Sequence, residues 1–144
     1  MTLNHVHWSF QVVSFGNVMK QKIHTNLAPA AIGPYSQAIR VGDTVYLSGQ
    51  IPLDPQSMML VANDIKRQAT QAFMNLQAVA IAAKGDLSKV VKLTIYLIDL
   101  KHFAVVNEVI TQFFQEPYPA RATIQVSALP KEALIEVDAV MVFI

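Results

Sequence analysis

The sequence contains no cysteine among its 144 residues. Its absence excludes disulfide bonds, thiolate catalysis and cysteine-ligated zinc. Charged side chains are scarce at 15%, and the net charge is only +1 with acids and bases interspersed. Such a chain has no basic stripe for DNA or RNA, so we expect no nucleic-acid partner. A cysteine-free chain suits a reducing compartment without requiring one, and we expect a cytoplasmic protein.

Long apolar runs are also missing, although hydrophobic residues make up 53% of the sequence. No uninterrupted run reaches the roughly 18 to 20 residues that span a bilayer, so we expect no membrane association. The length fits one domain with a sizeable core. The excess of apolar residues predicts that much of the surface is buried in an oligomer.

The first eighteen residues, "MTLNHVHWSFQVVSFGNV", differ from the rest. They carry no Lys or Arg before their apolar stretch, so the basic region of a secretory signal is missing. The following "MKQKIHTN" is typical of an ordinary protein start. We predict that Met19 is the native initiator, that residues 1–18 are an extension and that residues 19–144 form a single domain.

Candidate metal ligands occur only in pairs. His5 and His7 lie in the extension without a third ligand nearby, and Glu136 and Asp138 lie side by side on one predicted strand without an imidazole partner. Two ligands make a weak site, so we predict no resident metal.

Sequence patterns predict seven elements. Two short strands flank Gly42-Asp43, a hairpin-like turn signal. An apolar stripe predicts a helix over 63–84, capped by Asn63 and stopped by Gly85. The remaining elements are a strand over 89–98, a helix over 100–115, and strands over 120–128 and 133–144. The order β-β-α-β-α-β-β predicts an α+β fold, one sheet with two helices on one face.

Strand alternation divides this sheet into two faces. One is uniformly apolar and can be covered by both helices: Val45, Leu47, Val91, Leu93, Ile95, Leu97, Ala122, Ile124, Val126, Ile135, Val137, Ala139 and Met141. The other mixes polar and apolar residues: Tyr46, Ser48, Gln50, Lys92, Thr94, Tyr96, Arg121, Thr123, Gln125, Glu136, Asp138, Val140 and Val142. No helix remains to cover this second face. It is either wet or packed on another copy, and its valines and tyrosines favour packing, with clefts between subunits.

Several polar side chains are weaker candidates for chemistry. Ser48 has no sequence-adjacent histidine and no G-x-S-x-G elbow, which argues against a Ser–His hydrolase. Lys92 could form a Schiff base, but its neighbours do not obviously desolvate it. His24 and His102 each stand alone and are better explained as surface or helix-end residues.

Arg121 raises the sharpest question. In "EPYPARATIQV" two prolines restrict the backbone just before the strand that Arg121 opens. Its guanidinium is either a solvated charge or an anion receptor. With Glu136 it could also form a structural ion pair between neighbouring strands.

Several stretches together resemble one family. They are "APAAIGPYSQAI", "LSGQIPLDP", "VVKLTIYLIDL" followed by "FAVVNEV", "PARATIQV" and "LPKEALIEVDAV". In order and spacing they resemble the RidA (YjgF) family of enamine/imine deaminases from about Lys22 to Ile144. The resemblance implies a chorismate-mutase-like α+β fold and a barrel-like homotrimer. The helices would lie outside, the sheets inside, and a site would lie in each intersubunit cleft.

Carried over residue by residue, the resemblance makes Arg121 the anchor for a carboxylate and Glu136 the group that orients or activates water. The residues that would line the cleft are Tyr35, Ser48, Gly49 and Asn107. Thr123 stands where many members have cysteine, and its backbone N–H could still donate to the carboxylate. The connection between the second helix and Pro119 would border the site.

The implied reaction is hydrolysis of 2-iminopropanoate or 2-iminobutanoate to the 2-oxo acid and ammonia. Such imines arise from enamines that pyridoxal-phosphate-dependent dehydratases release. A protonated imine is already electrophilic, so the reaction needs no cofactor or metal. One rival is a non-catalytic trimeric module that binds small carboxylates through Arg121 without needing Glu136. The other is a ribonuclease or translation inhibitor, which the +1 net charge opposes.

Overall fold

The structure is a computed structural model that describes residues 19–144. The extension over residues 1–18, with His5 and His7, lies outside the described residues. Six strands and two α-helices make up the fold: β1 (Gln21–Ile23), β2 (Ala38–Val41), β3 (Thr44–Gln50), α1 (Ile65–Ala82), β4 (Val90–Leu97), α2 (Phe103–Phe113), β5 (Ala120–Gln125) and β6 (Ile135–Val142). Short 3-10 helices cover Leu87–Lys89, Leu100–His102 and Pro130–Glu132. Within residues 19–144 no helix is long and apolar enough to cross a bilayer.

The strands form one mixed sheet in the order β1-β2-β3-β6-β4-β5. The pair β4 and β5 is parallel, and α2 provides the crossover that a parallel pair requires. All other neighbouring strands are antiparallel. The predicted α+β fold is confirmed. The strand β1 was not predicted, because three residues are too few to show an alternating pattern.

Both helices pack on the same face of the sheet, around Phe73 of α1. Phe73 is fully buried, and its ring centroid lies 5.5 Å from that of Phe113 and 6.0 Å from that of Phe114. Such tilted and edge-on aromatic pairs stabilise a core beyond the area they bury. Phe73 therefore joins α1 to the end of α2. Within residues 19–144 no helix covers the opposite side of the sheet, which we call the open face.

The N-cap of the first helix lies one residue later than predicted. Asp64, not Asn63, is its N-cap, because the Asp64 side chain accepts a hydrogen bond from the Arg67 N–H at 2.9 Å. The helix ends at Ala82, and Lys84 takes the left-handed conformation at φ 70°. Gly85 follows it.

The predicted faces of β5 are wrong. In the parallel pair, Arg121 lies beside Leu93 and Thr123 beside Ile95. Residues in register share a face, and Leu93 and Ile95 are buried under the helices. The apolar side chains of β5 therefore lie on the open face, where Ile124 is 44% exposed. The residues that lie on the face opposite to the predicted one are Arg121, Ala122, Thr123, Ile124 and Gln125.

Two irregularities in the sheet correct two further predictions. A register shift between Leu47 and Gln50 turns Gln50 inward, where it is buried. A second shift between Val90 and Lys92 leaves Val90 inside and Val91 exposed. Each shift breaks the strict period of two on which the predicted faces rested.

We expect Phe73→Ala to lower the free energy of unfolding by about 3–5 kcal/mol, because it empties the centre of the core. Met74→Ala is the matched control, since Met74 is the next residue and is half exposed. It should cost about 0.5 kcal/mol or less. Urea unfolding followed by circular dichroism measures both, and equal losses would contradict the central position of Phe73.

Candidate active site

Arg121 lies near the start of β5, at the edge of the sheet and on the side covered by α2. Its Nη1 donates a hydrogen bond to Asn107 Oδ1 at 2.6 Å, and its Cζ lies 5.3 Å from the centroid of the Phe103 ring. Phe103 and Asn107 are four residues apart and so share one face of α2. A guanidinium has five N–H donors, so the contact with Asn107 leaves others for an anion.

A cavity of about 380 Å³ opens beside Arg121. Its apolar walls include Leu93, Ile110, Tyr118 and Pro119, and its polar groups include Asn107 and Arg121. An apolar hollow with one cation suits a small molecule that has a carboxylate and an apolar remainder. The connection after α2 borders this cavity through Tyr118 and Pro119.

Thr123 lies two residues beyond Arg121 on the same side of β5. Its Oγ1 is buried and has no hydrogen-bond partner among residues 19–144. A buried hydroxyl without a partner costs free energy, and such groups are rare in folded proteins. Arg121, Asn107 and Thr123 form what we call the Arg121 group.

Glu136 lies on the open face of β6, a strand paired on both sides by β3 and β4. Gly49 of β3 lies against it. A Cβ atom at Gly49 would come within 2.9 Å of both Cδ and Oε1 of Glu136, which is closer than real Cβ atoms approach other atoms. Glycine at this position therefore lets the carboxyl lie directly on the β3 backbone.

The electrostatics of Glu136 favour its protonated form. The side chain is half-buried, and burial together with the charge of Asp138 raises the pKa of Glu136. Asp138 accepts a hydrogen bond from the Tyr96 hydroxyl at 2.8 Å. This bond, with burial and the charges of Asp138 and Glu136, raises the pKa of Tyr96 to about 12. Glu136 thus exchanges a proton closer to neutral pH than an ordinary glutamate does.

Ser48 and the loop that contains Tyr35 are linked to β3, the strand that carries Gly49. The Ser48 Oγ donates to the Ser36 carbonyl at 2.5 Å, which ties the loop containing Tyr35 to β3 beside Gly49. Because its hydroxyl is engaged with the backbone, Ser48 serves here as a structural link. The Tyr35 hydroxyl accepts a hydrogen bond from the Ile32 N–H at 3.3 Å, and Tyr35 is exposed. Tyr35, Ser48, Gly49 and Glu136 form what we call the Glu136 group.

Comparison with known proteins identifies the family. The family model described as Endoribonuclease L-PSP matches residues 25–143. The crystal structure of RidA from the Antarctic bacterium Psychrobacter sp. superposes with a TM-score of 0.83 at 50% identity, over 85% of this chain and 99% of that one. This chain belongs to the RidA family.

Two other RidA-family proteins bear on the site. A protein of Dermatophagoides farinae named 2-iminobutanoate/2-iminopropanoate deaminase is 46% identical, over 85% of this chain and 96% of its own length. The crystal structure of E. coli TdcF with bound serine matches at 41% identity with a TM-score of 0.82, over 87% of this chain and all of that one.

The predicted site residues of this RidA-family chain fall into two separate groups. Within one chain, β4 lies between β5 and β6, and Arg121 and Glu136 lie on opposite faces of the sheet. The ion-pair interpretation of these two residues is therefore wrong within a single chain. The ion pairs formed among residues 19–144 are Lys66–Glu108 and Lys101–Asp99.

Three aromatic residues near the candidate site were not predicted from the sequence. Phe103 stacks on Arg121, and its spacing of four residues from Asn107 was an available signal. Tyr118 lines the cavity and directly precedes "PAR" in the sequence. Tyr96 bonds Asp138, and only the register of β4 against β6 reveals that contact.

The Glu136–Asp138 pair does not extend to a third ligand. Among residues 19–144 no three His, Cys, Asp or Glu side chains come together as a group that could hold a metal ion. Asp138 is instead engaged by the Tyr96 hydroxyl.

We expect Glu136→Gln to stabilise the fold at alkaline pH. Because the pKa of Glu136 is raised on folding, the folded state holds this proton more tightly than the unfolded state. The contribution of Glu136 to stability is therefore greatest below its unfolded pKa and falls as pH rises through its folded pKa. Glutamine does not titrate. The melting temperature of the variant should exceed that of wild type at about pH 8, and the gap should shrink toward about pH 4.

Glu116→Gln is the matched control, since Glu116 is exposed in the connection after α2. A gap between wild type and Glu136→Gln that does not change with pH would contradict the burial of the Glu136 charge.

Proposed function

We propose that this protein hydrolyses small 2-imino acids, 2-iminopropanoate and 2-iminobutanoate, to 2-oxo acids and ammonia. The observation that carries the proposal is the complementarity of the two groups. One presents a fixed guanidinium beside a cavity, and the other a glutamate with a raised pKa. RidA-family relatives that bear the deaminase name support it.

The two groups meet, in this proposal, between copies of the chain in a homotrimer. Because Arg121 and Glu136 lie on opposite faces of one sheet, a site that uses both needs a second copy. The open face supports such packing, since Tyr46 of β3 is 55% exposed there and Ile124 of the edge strand β5 is exposed on the same face. An exposed apolar face of this kind is typical of an interaction surface. The clefts would then lie where the edge strand of one copy meets the open face of another.

In such a cleft Arg121 binds the substrate carboxylate, with Asn107 and Phe103 holding the guanidinium. A bidentate, charge-assisted contact of this kind contributes roughly 1.5 to 3 kcal/mol. Thr123 would add a donor to the carboxylate, and its buried hydroxyl, which has no hydrogen-bond partner among residues 19–144, supports a contact made only in the complex. Tyr35, Ser48 and Gly49 would line the opposite wall.

Glu136 then accepts a proton from water and later returns it to the substrate nitrogen. Its carboxylate takes a proton from water as the water oxygen bonds to C2 of the protonated imine, which gives a carbinolamine. The protonated Glu136 returns that proton to the nitrogen, the C–N bond breaks and ammonia leaves. The hydroxyl proton passes to solvent, and the C2=O bond of the 2-oxo acid forms. A raised pKa suits a group that must accept and then release a proton near neutrality.

The second candidate is a binding module without catalysis. The TdcF structure with bound serine supports it, because serine carries a carboxylate but no imine. In this candidate Arg121 has the same role and Glu136 has none. A ribonuclease role corresponds to the family description, but the +1 net charge of this chain does not favour binding to a polyanion.

We expect Arg121→Lys to lose about tenfold or more of the deaminase activity, because lysine keeps the charge but not the bidentate fork. A serine or threonine dehydratase generates the enamine, and semicarbazide traps the imine. Wild type at substoichiometric amounts should suppress the trapped product, while Arg121→Lys should suppress it weakly with an unchanged oligomeric state.

Full activity in Arg121→Lys would contradict the role of Arg121. If the wild-type protein binds pyruvate but never lowers the amount of trapped product, the result contradicts the deaminase function and supports the binding module.

We expect Gly49→Ala to reduce kcat while binding of the carboxylate persists. The added Cβ meets the end of a flexible side chain, so Glu136 swings away at little cost to the fold. The Arg121 group that shares the cleft comes from another copy, so the change leaves its contacts with Asn107 and Phe103 in place. Steady-state kinetics with pyruvate titration separates the two effects. An unchanged kcat would show that Glu136 need not lie against β3.

A further inference from the structure

Tyr96 and Asp138 lie next to Glu136 but have no part in the reaction described above. Asp138 follows Glu136 by two residues on β6, so both side chains stand on the open face. Tyr96 of β4 is directly opposite Glu136, while Thr94 is directly opposite Asp138. The Tyr96 hydroxyl therefore reaches diagonally to Asp138, at 2.8 Å. The three side chains form one contiguous cluster.

We propose that Asp138, oriented by the Tyr96 hydroxyl, is a positioning residue that controls when Glu136 gains and loses its proton. The inference rests on the proposed function of Glu136 in deamination, but it concerns two residues outside that reaction. Neither touches the substrate in this proposal. They act through Glu136.

The group that donates a hydrogen bond to Asp138 decides whether the charge of Asp138 acts on Glu136. Lys92 stands on the same face opposite Val140, so Lys92 and Tyr96 are both diagonal neighbours of Asp138. Among residues 19–144 the hydrogen bond is made with Tyr96, and Lys92 forms no ion pair. An ammonium partner would cancel the charge of Asp138. A neutral hydroxyl fixes the carboxylate and leaves its negative charge directed at Glu136.

Within a single copy of residues 19–144, the strands beside Glu136 place no cation next to its carboxyl. From β3 it meets Gly49, which is uncharged, and Tyr46 lies further along opposite Val140. The titratable groups that face it from β4 are Tyr96 and, two pairs away, Lys92. Tyr96 remains a donor throughout the neutral range, since its pKa is raised to about 12. Asp138 thus stands beside a half-buried carboxyl, whose pKa is raised by burial and by the charge of Asp138.

The test uses Asp138→Asn, which removes the charge and keeps the shape, and Tyr96→Phe, which removes only the hydroxyl. Tyr46→Phe is the matched control, because it removes a hydroxyl from the same face away from Glu136. The sequence has only four glutamates, so ¹³C NMR of glutamate-labelled full-length protein can follow each carboxyl through a pH titration. Glu136→Gln assigns the Glu136 signal. The pH dependence of kcat gives a second readout.

We expect the Glu136 midpoint to move to lower pH in Asp138→Asn, and the pH dependence of kcat to move with it. In Tyr96→Phe the released carboxylate turns toward solvent, so the midpoint should move in the same direction but by less. Tyr46→Phe should leave the midpoint unchanged.

An unchanged Glu136 midpoint in Asp138→Asn overturns the proposal, and an unchanged midpoint in Tyr96→Phe overturns the role given to the hydroxyl. If Asp138→Asn does not fold, the Glu136 midpoint in Tyr96→Phe alone decides whether the proposal holds. A shifted midpoint in a protein that never deaminates imines supports control of Glu136 and overturns the proposed function instead.

Discussion

The alternation of side chains along β6 is the constraint on which the rest of the structure depends. This strand is paired on both sides, and each inward residue from Ile135 to Met141 is buried under the helices. The period of two therefore forces Glu136 and Asp138 onto the open face. The core can accept no slip of register, because a shift by one residue would bury two carboxyls and expose four apolar side chains. Burial on one side thus positions the chemistry on the other.

The candidate site is assembled from features that a purely stable fold would avoid. Glu136 is half-buried beside another acid, and the Thr123 hydroxyl is buried without a partner among the described residues. Gly49 leaves a bare stretch of backbone against the carboxyl. Each feature costs free energy in the isolated chain, and the well-packed core around Phe73 offsets these costs. Such local costs, here divided between the Arg121 group and the Glu136 group, are typical of functional sites.

The edge strand β5 explains why a pattern can be periodic and still mislead. Its apolar residues alternate as in a core strand, and this suggested that Arg121 shares a face with Glu136. The structure places the apolar side chains on the open face and Arg121 under α2, where Asn107 and Phe103 hold it. This reversal separates the two halves of the site within one chain. It also leaves Ile124 exposed, where a second copy could cover it.

The sequence by itself determined the α+β class, the helix over Phe73 and the identities of Arg121 and Glu136 as site candidates, because local periodicity and motif content are properties of neighbouring residues. Only the tertiary structure decided which face of the sheet each β5 side chain lies on. It also decided that Gln50 is buried and that Tyr96 bonds Asp138. These depend on strand register and on which side of the sheet the helices cover. Both arise from pairing between residues far apart in the chain, which no local pattern encodes.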